Sequence, residues 1–124
     1  LNIKSIDDQH KYLVLLINDL YRALLSTNPK EKLYEILDRM LLYATYHFQD
    51  EEKIMEENDY PWLESHKEKH QKFIDQTLEY LEQFQAGTLK PSTQIVNYLK
   101  DWLKKHIMGE DRDYSVYINE RGVY

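Results

Sequence analysis

The sequence predicts an all-α protein, an antiparallel up-down-up-down four-helix bundle with a short C-terminal tail. Apolar residues recur at spacings of three and four along four long stretches, as they do on the buried face of an amphipathic helix. No stretch shows the β-branched alternation or the Asn-Gly turn typical of a β-hairpin. Four helices with short connections lie antiparallel to their neighbours in sequence order. An all-α fold that is not a bundle is the alternative.

The first helix is predicted over residues 7–26 and the second over residues 30–57. Asp7 is placed to cap the first helix. Pro29 follows Asn28, a pattern typical of a capping residue and the first residue of a helix. The two apolar stripes comprise Leu13, Ile17, Leu20 and Leu24, followed by Leu33, Ile36, Leu37, Met40 and Ala44.

The third helix is predicted over residues 62–86 and the fourth over residues 91–109. The segment Asn58-Asp59-Tyr60-Pro61 repeats the pattern of cap and proline, and Gly87 is expected to end the third helix. Residues 111–124 are a mixed tail for which no element is predicted. The two apolar stripes comprise Leu63, Phe73, Ile74, Leu78, Leu81 and Phe84, followed by Ile95, Leu99, Trp102 and Leu103.

A length of 124 residues suits one domain, predicted to span residues 1–124. Acidic residues outnumber basic ones by 22 to 16, which argues against a nucleic acid or an anionic membrane as the main partner. No apolar run approaches the roughly 18 residues that cross a bilayer, and no signal peptide is visible, so we expect a cytoplasmic protein without membrane insertion. Because the chain begins at Leu1 rather than at Met, one expectation is an excised domain with a covalently linked signalling domain.

The five histidines all lie on the apolar stripes, in a chain that has no cysteine. Any metal bound here must therefore be held by nitrogen and oxygen rather than by thiolate. Two carboxylates accompany the histidines, Glu51 four residues after His47 and Asp111 five residues after His106. The other three histidines are His10, His66 and His70.

The two carboxylate spacings have different consequences on a helix. Four residues turn an α-helix by about 400°, so Glu51 lies on the same face as His47. Five residues leave two side chains about 140° apart. Asp111 is therefore expected to join His106 only if the helix breaks between them, where Gly109 lies.

All seven side chains are predicted to lie at one level along the bundle axis. In an antiparallel bundle, the starts of the first and third helices share an end with the finishes of the second and fourth. At about 1.5 Å rise per residue, all seven fall within roughly 15 Å of that end. A single histidine on an apolar stripe is usually a hydrogen-bonded core residue. Seven such groups together would cost several kcal/mol unless a metal centre satisfied them, so we predict a metal site.

Seven ligands exceed one coordination sphere. If both carboxylates and one solvent-derived oxygen bridge two metals, the five histidines divide three and two, which leaves one open position for a small ligand. His66 and His70 lie one turn apart and should bind the same metal. The spacing does not show which third histidine binds that metal with them. Imidazole suits zinc, copper, nickel and iron.

These residues carry a resemblance to the hemerythrin-like domains, in particular the bacterial hemerythrins, over nearly the whole chain. The matching motifs are Asp8-Gln9-His10, His47-x-x-x-Glu51, His66-x-x-x-His70 and His106-x-x-x-x-Asp111. The up-down bundle is also the known architecture of myohemerythrin. The resemblance implies a non-haem di-iron centre, with two iron ions per chain and an oxo or hydroxo bridge.

The resemblance also implies a role for each of the seven side chains. His66, His70 and His106 would bind one iron, His10 and His47 the other, and Glu51 and Asp111 would bridge them. Dioxygen binds reversibly at the five-coordinate iron in such proteins.

Three apolar residues match positions that line the oxygen pocket in the same family. Leu13 lies one turn from His10, while Trp102 and Leu103 lie one turn before His106. An apolar wall there would exclude water from the open position. Plain core packing is the alternative role for all three.

Reversible dioxygen binding, for storage, delivery or sensing, is the function that the sequence favours, and no enzymatic activity is expected. One alternative is a sensory module that responds to dioxygen, redox state or nitric oxide, and another is a slow di-iron peroxidase or oxidase. The sequence has neither the Glu-x-x-His pairs of ferritin-like oxidases nor the His-Glu-x-x-His motif of zinc proteases.

Overall fold

The computed structural model describes residues 3–124, apart from the side chain of Glu110. Residues 1 and 2, which the predicted domain includes, lie outside the described residues. Residues 3–124 form helices and no strand, and none of these helices is long and apolar enough to cross a membrane. The elements are α1 (Lys4–Leu24), α2 (Pro29–Glu57), α3 (Leu63–Ala86), α4 (Thr93–Lys105), a π-helical segment (His106–Asp111) and α5 (Arg112–Glu120).

Two helix ends follow the predicted local signals, whereas α3 begins at Leu63, after the predicted cap and proline at 58–61. Pro29 is the first residue of α2, and Gly87 ends α3 in the left-handed conformation with φ of 75°. The predicted start of α1 is wrong, because the backbone is already helical from Lys4 and Asp7 lies inside the first turn. The amide of Asp7 donates to the carbonyl of Ile3 at 2.9 Å, so Asp7 is not the capping residue.

The helices pack in the antiparallel order that the sequence predicts, which confirms the four-helix bundle. Helix α1 packs against α2 and α4, and α2 packs against α3. The rings of Phe73 and Trp102 join α3 to α4, with centroids 4.6 Å apart. Near the opposite end of the bundle, the Tyr21 hydroxyl of α1 hydrogen-bonds to Asn97 in the second turn of α4.

Two apolar clusters divide the interior. The large core fills most of the bundle, and the small core comprises Ile3, Ile6, Met55, Tyr60, Tyr114 and Ile118. Along α1, His10 falls between Ile6 of the small core and Leu13 of the large core. The predicted polar cluster is therefore a layer within the bundle, closed on both sides by apolar packing. Leu78, which was expected on the buried stripe of the third helix, is instead 42% exposed.

The C-terminal segment differs most from the sequence-based expectation. The chain does not break after α4, since it continues as a π-helical segment and then as α5. Helix α5 contributes Tyr114 and Ile118 to the small core, and both side chains are fully buried. The C-terminal residues, for which the sequence pattern predicts no element, thus form a helix that covers the polar layer.

Candidate metal centre

The structure brings all seven predicted side chains together in the bundle interior. Each is at most 7% exposed, and Glu51 and Asp111 are completely buried. Their nitrogen and oxygen atoms form two groups, within each of which every ligand atom lies within 4.8 Å of the others. The larger group is Glu51, His66, His70, His106 and Asp111, and the smaller is His10, His47, Glu51 and Asp111.

The larger group shows which histidine accompanies His66 and His70, a choice that the spacing left open. Nε2 of His70 lies 2.8 Å from Nε2 of His106. Oδ1 of Asp111 lies 2.8 Å from Nε2 of His66 and 3.0 Å from Nε2 of His106. His106 is therefore the third histidine of this group.

The smaller group joins α1 to α2 and to the π-helical segment. Nε2 of His10 lies 3.2 Å from Oδ2 of Asp111 and 3.9 Å from Oε1 of Glu51. Nε2 of His47 is in close contact with the same Glu51 oxygen. The two carboxylates thus have one oxygen facing each group of histidines.

The π-helical segment explains how Asp111 reaches the cluster. Backbone hydrogen bonds in a π-helix join residue i to residue i+5, so residues five apart lie on nearly the same face. His106 and Asp111 are the first and last residues of this segment. The expectation that the helix must break at Gly109 is therefore wrong, because a wider helical turn achieves the same juxtaposition without ending the helix.

The carboxylates of the cluster are held in their charged form. Burial alone would raise the pKa of Asp111, but its contacts with His10, His106 and His66 lower that pKa well below its usual value. Burial and the nearby Asp111 both oppose ionisation of Glu51, and His47 and His10 outweigh them, so that the pKa of Glu51 is also lowered. Two buried negative charges therefore face the histidines.

This environment shifts the pKa values of two histidines in opposite directions. Burial lowers the pKa of His10, but Asp111 and Glu51 raise it to about 9. Burial, with help from His106 and His66, lowers the pKa of His70 to about 3. In the metal-free chain His10 is thus protonated at neutral pH, whereas His70 is neutral and ready to bind a metal.

The donor set fits a pair of metal ions of the iron class. Among the described residues, both Glu51 oxygens, Oδ2 of Asp111 and Nε2 of His10 are buried without a hydrogen-bond partner. Buried polar atoms are normally satisfied, and atoms left in this state indicate a missing partner. Neutral imidazoles combined with carboxylates shared between two groups suit divalent and trivalent iron.

Aromatic rings support the larger group from the side of the large core. Phe48 stacks on His70 with ring centroids 3.9 Å apart. Trp102 stacks on His106 at 4.7 Å. The sequence interpretation did not assign Phe48 a role near the cluster, although its position next to His47 was a usable signal.

The three predicted pocket residues lie in two places. Leu13 and Leu103 are buried and line a groove of about 440 Å³ between α1 and α4, whose other lining residues include Ile107 and Met108. Trp102 does not line this groove, and instead packs against His106 and Phe73. Of the three predicted pocket residues, the two leucines therefore line the groove between α1 and α4, and Trp102 does not.

Comparisons with known proteins agree with this geometry. The family model for the hemerythrin HHE cation binding domain matches residues 1–117. Bacteriohemerythrin from Stenotrophomonas maltophilia (strain R551-3) is 36% identical over 115 residues, which cover 93% of this chain and 74% of that protein. Bacteriohemerythrin from Pseudomonas aeruginosa (strain LESB58) is 35% identical over 114 residues, with coverage of 90% and 72%. A crystal structure of wild-type hemerythrin superposes with a TM-score of 0.88 at 27% identity, covering 94% of this chain and 89% of that one.

Proposed function

The chain belongs to the hemerythrin family, and on that premise we propose that its histidine and carboxylate cluster holds two iron ions at which dioxygen binds reversibly. The observation that carries the proposal is the sharing of Glu51 and Asp111 between one group of three histidines and another of two. Carboxylates shared between two groups of imidazoles can bridge two adjacent metal ions, and this mixed donor set suits iron. When bound, the iron pair supplies two electrons to dioxygen and takes them back on release.

We assign the ligands as the two groups divide them. His66, His70 and His106 bind one iron, His10 and His47 bind the other, and Glu51 and Asp111 bridge. The group of His10 and His47 offers one histidine fewer, so an iron held there would be the one able to take a small ligand. Leu13, one turn after His10, and Leu103, one turn before His106, are both buried and would exclude water from the open position.

A carrier or sensor, rather than an enzyme, is the role we propose for this centre. All five histidines of the chain are assigned as metal ligands, so none is left to act as a general acid or base. The buried apolar wall also favours release of the bound gas unchanged over reaction with water.

Metal content provides the first test of this function. Protein isolated in air is expected to contain two irons per chain and to show oxo-to-iron charge-transfer absorption in the near ultraviolet. A single zinc, or no uptake of iron after anaerobic reconstitution, would contradict the proposal.

A dioxygen cycle provides the second test and separates the candidate roles. The protein is reduced anaerobically, exposed to dioxygen and then placed under vacuum, and its absorbance is followed throughout. Absorption bands that appear and disappear over repeated cycles support storage or delivery. Irreversible oxidation in the first cycle would instead favour a redox sensor, and comparison with nitric oxide would identify a sensor of that gas.

A further inference from the structure

Gln9 is a buried amide that links α1 to two residues of α2. Its side chain is 7% exposed, although it lies next to the ligand His10 on a helix with a solvent-facing side. Oε1 of Gln9 lies 2.6 Å from Nδ1 of His47. Nε2 of Gln9 donates to Oδ2 of Asp50 at 3.0 Å.

The Asp50 contact fixes the orientation of the Gln9 amide. A carboxylate accepts hydrogen bonds, so the NH2 group of the amide must face Asp50. The amide oxygen then faces His47, and that oxygen can only accept. Nδ1 of His47 must therefore carry a proton and donate it.

This hydrogen bond determines which nitrogen of His47 is available to a metal. An imidazole that carries its proton on Nδ1 presents the Nε2 lone pair as its acceptor. Nε2 is the His47 atom that contacts Glu51 in the cluster. The chain Asp50–Gln9–His47 thus directs the lone pair toward the group of His10, His47, Glu51 and Asp111, which would hold what we call the second iron.

We infer that Gln9 is a positioning residue that selects the metal-binding tautomer and ring orientation of His47, with Asp50 holding its amide in the required direction. The inference rests on the proposed function, since it concerns the iron of His10 and His47. Hydrogen bonds from ligand imidazoles to outer groups generally orient the ring and raise its basicity.

The larger group of histidines has no equivalent amide at His70. Nδ1 of His70 has no hydrogen-bond partner among the described residues, and the nearby Oε1 of Glu52 is 3.7 Å away. Loss of Gln9 should therefore weaken one metal position and spare the other.

Gln9→Met is the direct test, because methionine has a similar length and is only a weak acceptor for the hydrogen bond that His47 donates. We expect binding of the second iron to weaken by about 10- to 100-fold, whereas the iron of His66, His70 and His106 should bind as in the wild type. The measurement is an anaerobic titration with ferrous iron alone in competition with a chelator, which does not depend on dioxygen binding. In the zinc-loaded protein, the NMR signal of the His47 Nδ1 proton should also lose its protection from exchange.

Gln71→Met is the matched control. Nε2 of Gln71 donates to Asp75 at 2.8 Å on the exposed face of α3, so this variant removes the same kind of Gln–Asp hydrogen bond without touching a histidine. It should bind both irons with wild-type affinity. If Gln9→Met does the same, the inference is overturned while the proposed function stands.

If Gln9→Met does not fold, a second pair of variants that exchanges donor and acceptor between positions 9 and 50 tests the inference. Gln9→Glu retains an oxygen for His47 but sets a carboxylate against Asp50, and should weaken the second iron. Combining it with Asp50→Asn restores a donor opposite the introduced carboxylate, and should recover most of the lost affinity. Equal iron affinities in the single and double variants would overturn the inference. A wild-type chain that binds fewer than two irons would instead count against the proposed function.

Discussion

The ring of Phe48 lies face to face with the ring of His70, with centroids 3.9 Å apart and planes inclined by 7°. Phe48 belongs to the large core and His70 to the polar layer, so the stack is the contact through which core packing fixes the orientation of a ligand ring. Stability and metal binding are therefore coupled at this position.

Phe48→Ala should lower both the free energy of unfolding and the retention of iron. Removing a fully buried phenylalanine costs about 3–5 kcal/mol, and the cavity leaves His70 free to rotate. Phe84→Ala is the control, since Phe84 is also completely buried in the large core but lies near the C-terminal end of α3. Urea unfolding should show similar losses for both variants, and iron analysis should show a deficit for Phe48→Ala alone. Equal iron contents would show that the stack has no role in holding the metal.

Glu51→Ala should lose most of the iron. The substitution removes an oxygen from each group and leaves the histidines without a shared bridge. Glu57→Ala, an exposed position later in α2, serves as the control and should retain two irons. Unchanged iron content in Glu51→Ala would contradict its assignment as a bridge.

Leu103→Ala should accelerate autoxidation of the dioxygen-loaded protein. The shorter side chain opens the apolar wall of the groove between α1 and α4, and on the proposed function it admits water to the open position. Leu99→Ala removes an equally buried leucine one turn earlier and should cost a similar amount of stability, about 2–5 kcal/mol, without changing the autoxidation rate. The decay of the charge-transfer bands in air gives both rates. The same rate in both variants would assign Leu103 to core packing only.

Iron binding should weaken as the pH falls below about 9. His10 has a pKa raised to about 9 in the metal-free protein, so at neutral pH iron must displace its proton. The apparent affinity of the position formed by His10 and His47 should therefore increase from pH 6.5 to pH 8.5, which an anaerobic ferrous titration at each pH would measure. A flat profile would show that iron displaces no proton from His10 in this pH range.

The metal-free bundle should show the opposite trend in stability. The folded pKa of His10 lies above its ordinary value of 6.5, so protonated His10 stabilises the fold fully below pH 6.5. That contribution is lost as the pH rises through about 9. Urea unfolding of the metal-free protein should accordingly give a lower free energy at pH 9 than at pH 6.5, and His10→Ala should remove this part of the difference.

Much of the bundle was predictable because helix signals are local. The apolar stripes, the proline that begins α2 and the glycine that ends α3 each act within one or two turns. The helix formed by Arg112–Glu120 was not predicted, since it is short and its apolar residues face a core that exists only after the bundle closes.

In the metal centre, too, some features follow from local sequence signals and others from tertiary packing. By itself the sequence determined which side chains could meet, because the 3.6-residue period and the antiparallel order place all seven at one level. Only the tertiary structure decided how they meet. The π-helical turn that brings Asp111 beside His106 is unfavourable locally, and it forms where burial of Tyr114 and the contacts of Asp111 with the histidines stabilise it. The pairing of Gln9 with His47 likewise depends on the rotation of α1 against α2, which side-chain packing sets and periodicity does not.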